Sequence, residues 1–119
     1  MSLTLPKRLV GQHSSVKRSK VQEAETAKRV GGKVTKASGA GAFEKADVRL
    51  KGLVRMELKT TMHKSFSVTE EMIEKVSGQA LQAGELPVME IEINGGKQRV
   101  AVMPIWALDM LLAKATDKD

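Results

Sequence analysis

The residues of this sequence best suited to chemistry are two carboxylates and a lysine: Asp47, Glu57 and Lys59. Apolar and charged residues alternate from Val54 to Lys59, which is the pattern of a β-strand with one buried face. In such a strand Glu57 and Lys59 point to the same side, with Leu58 buried behind them. The Glu57 carboxylate and the Leu58 backbone carbonyl could hold a hard divalent cation, Mg²⁺ or Mn²⁺. Lys59 could then position a water against a phosphodiester, or stabilise the charge that develops on it.

Asp47 can join this site only if the two strands of a hairpin pair in one particular register. A strict two-residue turn at Lys51-Gly52 would set Asp47 opposite Met56, on the wrong face. One additional turn or bulge residue shifts the pairing to Glu57, and Gly52 can adopt the left-handed conformation that this requires. We therefore predict a bulged turn, or a bend near Asp47. Taken alone, the alternating charges are more typical of the solvated face of an edge hairpin.

The composition excludes several other kinds of chemistry. The chain has no cysteine, so it has no disulfide, no thiolate zinc site and no cysteine nucleophile. Its two histidines, His13 and His63, lie fifty residues apart without ligand-like spacing around either. The glycine-rich segment at 38–42 lacks the Gly-Lys-Ser/Thr of a P-loop, and no Gly-x-Ser-x-Gly elbow occurs. Zinc, nucleotide and serine-nucleophile chemistry are therefore all disfavoured.

Positive charge is concentrated at the N-terminal end of the chain. Residues 1–36 carry nine Lys or Arg and two Glu, a balance of +7, whereas residues 37–119 have a balance of −1. This asymmetry favours a polyanionic partner, nucleic acid before an anionic membrane surface. Apolar runs are far shorter than the ~18 residues of a membrane span, and a signal-peptide core is absent. We expect an intracellular protein without a membrane partner.

The elements that must position these residues follow from periodicity and turn signals. Residues 1–18 are predicted to be a flexible basic arm, and a capping box at Ser19-x-x-Gln22 predicts a helix that ends at Gly31-Gly32. A short strand at 33–36, a small-residue loop at 37–42 and the hairpin, Asp47–Leu50 with Leu53–Thr60, come next. A second capping box, Ser67-x-x-Glu70, predicts another helix with Gly84 as its stop.

The C-terminal part of the chain predicts a second hairpin and a last helix. Strands at 87–93 and 98–104 are joined by Asn94-Gly95-Gly96, and Pro104 can open the helix. The order of elements is helix, strand, hairpin, helix, hairpin, helix. We therefore predict the α/β class, with a mixed central β-sheet flanked by helices, and a single domain over residues 19–119.

These residues resemble a known signature. Asp47, nine intervening residues and Glu57-Leu58-Lys59 are similar to the PD-(D/E)xK nuclease motif, with Ala46 where proline is usual. The flanking segments resemble, more narrowly, the archaeal-type Holliday-junction resolvases and their small phage relatives, over about Gln22 to Pro104. The segments that carry this similarity are AKRVGGKVTKASGAG, ADVRL, RMELKTT and KSFSVTEEMIEKV.

The resemblance implies a fold and a function. It implies a restriction-endonuclease-like core and a Mg²⁺- or Mn²⁺-dependent endonuclease that cleaves branched or double-stranded DNA. A prokaryotic or phage-infected cell is the implied setting, in the cytoplasm or nucleoid. It also implies a homodimer, because symmetric cutting of a junction needs two active sites at a fixed separation. Apolar candidates for the dimer contact are the stripe of the helix at 72–83, or three residues of the last helix: Ile105, Trp106 and Leu108.

The same resemblance implies a further glutamate on the first helix, aimed at the metal. Glu23 and Glu25 both qualify. Glu23 shares a face with Ala27 and Val30, the stripe that should face the sheet, whereas Glu25 should face solvent. Glu23 is therefore our choice and Glu25 the alternative. The implied metal ligands and catalytic residues are Asp47, Glu57, Glu23 and the Leu58 carbonyl, with Lys59 as the catalytic lysine.

Several residues are predicted to contact DNA. The resemblance implies that Ser38 approaches the scissile phosphate or steadies a water, and that Lys64 and Ser65 lie in a loop used against the DNA backbone. Ser67 is predicted to cap the helix that follows. The cationic N-terminal part would grip the backbone without reading sequence, through Lys17, Arg18, Lys20 and Lys36.

Three other functions remain open at the level of sequence. The first is a nickase or exonuclease of the same fold that processes DNA intermediates. The second is a non-catalytic basic DNA-binding protein in which the Asp…Glu-x-Lys residues are structural. The third, which rests on charge alone, is an RNA-binding or ribosome-associated protein.

Overall fold

The computed structural model of the chain describes residues 7–36 and 46–116. Among the helices in these ranges, none combines the length and the apolar composition needed to cross a lipid bilayer. The α/β class predicted from the sequence is confirmed. The elements are α1 (Lys7–Val30), β1 (Lys33–Lys36), β2 (Ala46–Leu50), β3 (Val54–Thr60), α2 (Glu70–Gln82), β4 (Leu86–Ile93), β5 (Gln98–Val102) and α3 (Ile105–Thr116).

The five strands form one mixed sheet in the order β1-β2-β3-β4-β5. Strand β2 runs antiparallel to both of its neighbours, β1 and β3, and β5 runs antiparallel to β4. Strands β3 and β4 are parallel, and α2 forms the crossover between them. The segments that follow β3 and β4 therefore lie side by side, at the end of the sheet where both strands finish. There the Asn94 amide donates a 2.8 Å hydrogen bond to the carbonyl of His63.

Helices α1 and α3 cover one face of the sheet. The buried side chains of Val48, Met56 and Val88 lie on this face. They come from three adjacent strands, so they form one continuous apolar surface. The residues that pack on it from the two helices are Ala27 and Val30 of α1, and Ala107 and Leu111 of α3.

Helix α2 covers the opposite face, chiefly over β4. Val76 of α2 packs with Met89 and Ile91 of β4 in a second apolar cluster. Side chains alternate between the two faces along a strand, so the residues next to Val48 and Met56 turn toward this second face. Asp47 and Glu57 therefore project on the side of α2, away from α1.

The predicted start of the first helix at Ser19 is wrong. Helix α1 begins at Lys7, so residues 7–18, predicted to belong to a flexible arm, are helical; residues 1–6 lie outside the described ranges. A capping box is a local signal, and the preceding residues are compatible with a helix, so the helix extends through it. Arg18 also ties this part of α1 to the sheet through the buried carboxylate of Glu92. The predicted end is confirmed, since Gly31 follows Val30 with φ +71°.

The predicted cap of the second helix is also wrong. The N-cap of α2 is Thr69 rather than Ser67, and its hydroxyl accepts a 3.3 Å hydrogen bond from the Met72 amide. Both residues carry a suitable hydroxyl, but with Thr69 as the cap Glu70 and Glu71 occupy the first two positions of the helix, where negative charge is favoured. The predicted stop is confirmed, because Gly84 has φ +70° just after the C-cap.

Candidate functional site

Asp47 lies directly opposite Glu57 in the ladder between β2 and β3. The two strands are joined by a turn of three residues, in which the Leu53 amide donates to the Leu50 carbonyl at 2.9 Å. Gly52 occupies the left-handed region with φ +80°, where a side chain would be strained. The additional turn residue that the sequence required is therefore confirmed, and so is the register that it sets.

The two carboxylates of this pair are buried in a shared environment. Asp47 is 8% exposed and Glu57 6% exposed. Directly opposite residues on antiparallel strands have Cβ atoms about 4.5–5.5 Å apart. Burial raises the pKa of Asp47 above its usual value, and the nearby charge of Glu57 raises it further, although Arg55 opposes both effects. The ionised pair is therefore costly in this position unless a cation lies close to it.

Lys59 stands beside Glu57 on the same side of β3. Its ammonium nitrogen is 3.4 Å from Glu57 Oε1, while Leu58 between them packs toward the α1 face. The predicted common face of Glu57 and Lys59 is therefore confirmed. This separation is longer than that of a direct charge-assisted hydrogen bond, about 2.8 Å. The ammonium group of Lys59 thus lies near the Glu57 carboxylate without forming a short hydrogen bond to it.

Arg55 supplies a second cation, which the sequence reasoning had treated only as part of a solvated strand face. Its Nε and Nη2 donate to Asp47 Oδ2 at 3.2 and 3.1 Å. Arg55 precedes Glu57 by two positions, so the strand period already placed it on the same face. What the sequence did not reveal is its diagonal reach to Asp47 across the two strands, which depends on the register.

Glu85 fixes the turn that sets this register. The Nε and Nη2 atoms of Arg49 donate to its two carboxylate oxygens at 3.0 and 2.9 Å, and the Gly52 amide donates at 3.0 Å. The hydrogen bonds from Arg49 hold the pKa of Glu85 below its usual value, against the effect of burial. One buried carboxylate therefore joins β2, the β2–β3 turn and the start of β4. Glu85 was not among the residues predicted from the sequence.

The two helix glutamates do not join the cross-strand pair. Among the residues that the structure describes, no group of three or more His, Cys, Asp or Glu is placed to hold a metal ion. Glu23 lies on α1, and the stripe that it shares with Ala27 and Val30 packs on the face away from Glu57. The Glu25 carboxylate, 44% exposed, forms an ion pair with Arg99. Neither glutamate is therefore gathered with Asp47 and Glu57.

Buried polar residues missed by the sequence reasoning tie α1 to the sheet. Thr26 and Arg29 both donate to the carboxylate of Glu90, and these hydrogen bonds outweigh burial and lower its pKa. Gln22 donates to the carbonyl of Lys59 at 3.1 Å, so α1 also holds the strand that carries the site. The alternation of glutamates with apolar residues in β4 was visible in the sequence, but their partners were not.

A second carboxylate of β4 forms an ion-pair network with α1 and β5. Glu92 accepts two 2.9 Å hydrogen bonds from Arg18, one to each carboxylate oxygen, and Arg99 Nε lies 2.8 Å from Oε2. The carboxylate of Glu92 is completely buried. Arg18, predicted to contact DNA, is therefore also bound to a buried carboxylate of the protein, with its own side chain 25% exposed.

The remaining residues predicted to contact DNA fall into two groups. Lys17 and Lys20 are exposed on α1, the helix on the far side of the sheet from Glu57. Lys64 and Ser65 are exposed in the segment after β3, which is the strand of Glu57 and Lys59. The side chain of Lys36, at the end of β1, and the whole of Ser38 lie outside the described residues.

The two carboxylates at β2 and β3 could hold a hard divalent cation only if the ion kept much of its water. Mg²⁺ is usually bound by one or two carboxylates together with waters and substrate phosphates, rather than by a cage of protein ligands. Asp47 and Glu57 supply two such carboxylates, side by side and buried. No known protein-family profile matches the chain, and comparison with curated protein sequences gives no significant match.

Proposed function

We propose that this chain is a divalent-metal-dependent DNA endonuclease that cleaves branched DNA, such as four-way junctions. The observation that carries the proposal is the placement of Asp47 opposite Glu57, with Lys59 on the same side of β3. The sequence resembles the PD-(D/E)xK signature at these positions. The register gives the three residues the shared location that such chemistry needs.

Each of these residues has a distinct role in the proposal. Asp47 and Glu57 bind Mg²⁺ or Mn²⁺, with the Leu58 carbonyl as a further oxygen donor. When bound, the ion supplies Lewis-acid activation of the phosphodiester and of the attacking water. Lys59 stabilises the negative charge that develops on the phosphate, from a position already beside Glu57.

DNA approaches the site over the segment that follows β3. Lys64 and Ser65 are exposed there, close in sequence to Lys59. This segment is anchored to the β4–β5 turn, because the Gly95 amide donates to the Thr61 carbonyl at 3.1 Å and Asn94 bonds His63 in the same way. An ordered backbone that carries a lysine and a hydroxyl is suited to phosphate contacts that position DNA without reading its sequence.

The proposed enzyme is a homodimer, in which the α3 helices of two copies of the chain form the contact. Apolar side chains of this helix are exposed, among them Ile105 at 70% and Leu112 at 54%. The other candidate for the dimer contact was the apolar stripe of α2. Val76 and Ala80 of that stripe are buried inside the chain, so they are not available to a partner. A two-fold contact between copies would cover the apolar residues of α3 and hold two sites at a fixed separation.

A second candidate function is a DNA-binding protein without nuclease activity. The observation that favours it is that Arg55 already neutralises Asp47 within the chain. On this reading the Asp47, Glu57 and Lys59 cluster stabilises the hairpin and does no chemistry. Metal dependence separates the two candidates.

The test is cleavage of a labelled four-way junction beside a linear duplex of the same sequence, in Mg²⁺ and in Mn²⁺. We expect junction-selective cutting that Glu57→Gln reduces by at least about 100-fold while junction binding persists, because the ion and its activation of water are lost. Glu74→Gln, an exposed position on α2, is the matched control and should cut as the wild type does.

The other outcomes decide between the alternatives. Equal cutting of junction and duplex would favour a nickase or exonuclease of the same fold. Junction binding that persists in EDTA, with no cutting in either metal by any of the proteins, would contradict the nuclease proposal and favour the non-catalytic DNA-binding protein.

A further inference from the structure

Two cations of the chain itself already stand at the candidate site. Arg55 donates to Asp47, and Lys59 lies beside Glu57. The four side chains together carry no net charge. Lys59 has a role in the proposed chemistry, where it stabilises the charge that develops on the phosphate. Arg55 has none, so its presence next to Asp47 needs another explanation.

The cross-strand register explains why Arg55 turns toward Asp47. Arg55 lies directly opposite Arg49, and two like charges in that relation repel each other. Arg49 is drawn to the other side by the two oxygens of Glu85. Arg55 reaches instead along the diagonal to Asp47. The two arginines are thus held apart by two different carboxylates.

The contact between Arg55 and Asp47 is one-sided. Both of its hydrogen bonds go to Oδ2, at 3.1 and 3.2 Å, and neither goes to Oδ1. This is not the parallel two-oxygen pairing in which an arginine binds a carboxylate most strongly. The arrangement neutralises Asp47 but can be exchanged for another cation.

We infer that Arg55 is an internal counter-ion that occupies Asp47 in the absence of a divalent ion and lowers the affinity of the site for one. This inference rests on the proposed metal site. Before Asp47 can bind a metal ion through Oδ2, the guanidinium of Arg55 must release that oxygen or share it. The positive charge of Arg55 also repels the incoming metal ion. Arg55 is therefore a positioning residue that sets the metal concentration at which the site fills.

The inference predicts the effect of removing Arg55 on metal binding, measured without DNA and without turnover. Titration calorimetry with MnCl₂ would be compared for the wild type, Arg55→Met and Glu57→Gln. We expect Arg55→Met to bind Mn²⁺ about tenfold more tightly than the wild type, because one neighbouring charge and one competing contact are lost. Glu57→Gln should bind weakly or not at all.

Two further variants control for charge and for folding. Lys51→Met removes one positive charge at an exposed position of the same hairpin, and should leave the affinity within about twofold of the wild type. Arg55→Lys keeps the charge but donates from a single nitrogen, so its affinity should lie between those of the wild type and Arg55→Met. It provides the comparison if Arg55→Met does not fold.

A second readout is thermal unfolding in EDTA and in Mn²⁺. Without metal, Arg55→Met leaves Asp47 buried beside Glu57 with its counter-ion removed, so its melting temperature should fall by several degrees. Added Mn²⁺ should raise the melting temperature of Arg55→Met by more than it raises that of the wild type, because the variant binds the ion more tightly.

The outcomes separate this inference from the proposed function. Mn²⁺ binding by the wild type that Glu57→Gln abolishes, with unchanged or weaker binding by Arg55→Met and Arg55→Lys, would overturn the role of Arg55 and leave the metal site intact. Equal tightening by Lys51→Met would also overturn it, in favour of a general charge effect. Failure of every protein to bind Mn²⁺ would overturn the metal site and the inference together.

Discussion

Three N–H groups converge on the carboxylate of Glu85, which is 2% exposed, and this residue controls the geometry of the site from a distance. Two of the donors belong to Arg49 on β2 and one to Gly52 in the turn. Together they hold the three-residue turn that sets Asp47 opposite Glu57. The chemistry proposed for the pair therefore depends on a carboxylate that takes no part in it.

Glu85 gives a prediction about pH. Its pKa is lowered in the folded state by the hydrogen bonds from Arg49, so its stabilising effect is complete above the unfolded pKa and is lost as pH falls through the folded one. We expect Glu85→Gln to lower the free energy of unfolding by about 2 kcal/mol at pH 7, since it removes one charge-assisted pair. Urea unfolding of both proteins from pH 7 to pH 3 measures this difference.

The difference between wild type and Glu85→Gln isolates this carboxylate from the other groups that titrate. It should shrink as the pH falls below about 4.3, the usual pKa of a free glutamate. A difference that stays constant over the whole range would show that Glu85 acts through its shape or packing rather than through its charge.

At the scale of elements, local signals were sufficient for most boundaries. Gly31, Gly84 and the Asn94 turn ended or joined elements as predicted, because each position needs a positive φ that few residues adopt. The register of the hairpin was also predictable, since Gly52 allowed the additional turn residue. Neighbouring residues therefore allowed the pairing of Asp47 with Glu57, while the contact that holds it comes from Glu85, more than thirty positions away.

Features that depend on partners distant in sequence were not predictable. Glu90 and Glu92 are satisfied by arginines of α1 and β5, more than sixty positions away for α1, and no local pattern points to them. The same network ties Arg18, the residue before Ser19, to the sheet as part of one continuous helix. The stripe that Glu23 shares with Ala27 and Val30 packs on the sheet as predicted. Which of the two sheet faces it meets depends on the topology of the whole sheet, and no local pattern indicates that.

The third helix gives a prediction about assembly. Ile105 is the most exposed of its large apolar residues, so Ile105→Glu places a charge in the proposed contact without disturbing the interior. We expect the wild type to sediment as a dimer and this variant to shift strongly toward monomer. Asp109→Asn, on the same helix, is the polar control. A monomeric wild type, or a variant that remains dimeric, would contradict the role of α3.

At the scale of the whole molecule, one face of the sheet is structural and the other carries the proposed active site. The face under α1 is held by apolar packing and by ion pairs in which Arg18 and Arg29 bind buried carboxylates. The face of Asp47 and Glu57 carries the proposed chemistry. Much of the positive charge counted in the sequence is therefore structural, or lies on the side away from the site.

This division predicts which lysines affect DNA binding most. Lys64 follows the strand of the site, whereas Lys28 is exposed on α1 across the sheet. We expect Lys64→Gln to weaken junction binding and to reduce the slope of log K against log salt by about one, because one phosphate contact is lost. Lys28→Gln should change neither. Equal effects of the two variants would show that DNA is bound by overall charge and not by this face.

The central claim is that Asp47 and Glu57 act as one unit in holding the catalytic metal. The most direct test compares Mn²⁺-dependent junction cleavage by the wild type, Asp47→Asn, Glu57→Gln and the double variant. Residues that serve one ion are not additive, so each single variant should lose at least about 100-fold in rate and the double variant should lose little more. Cleavage by either single variant at the wild-type rate would contradict the claim, and so would independent losses that multiply in the double variant.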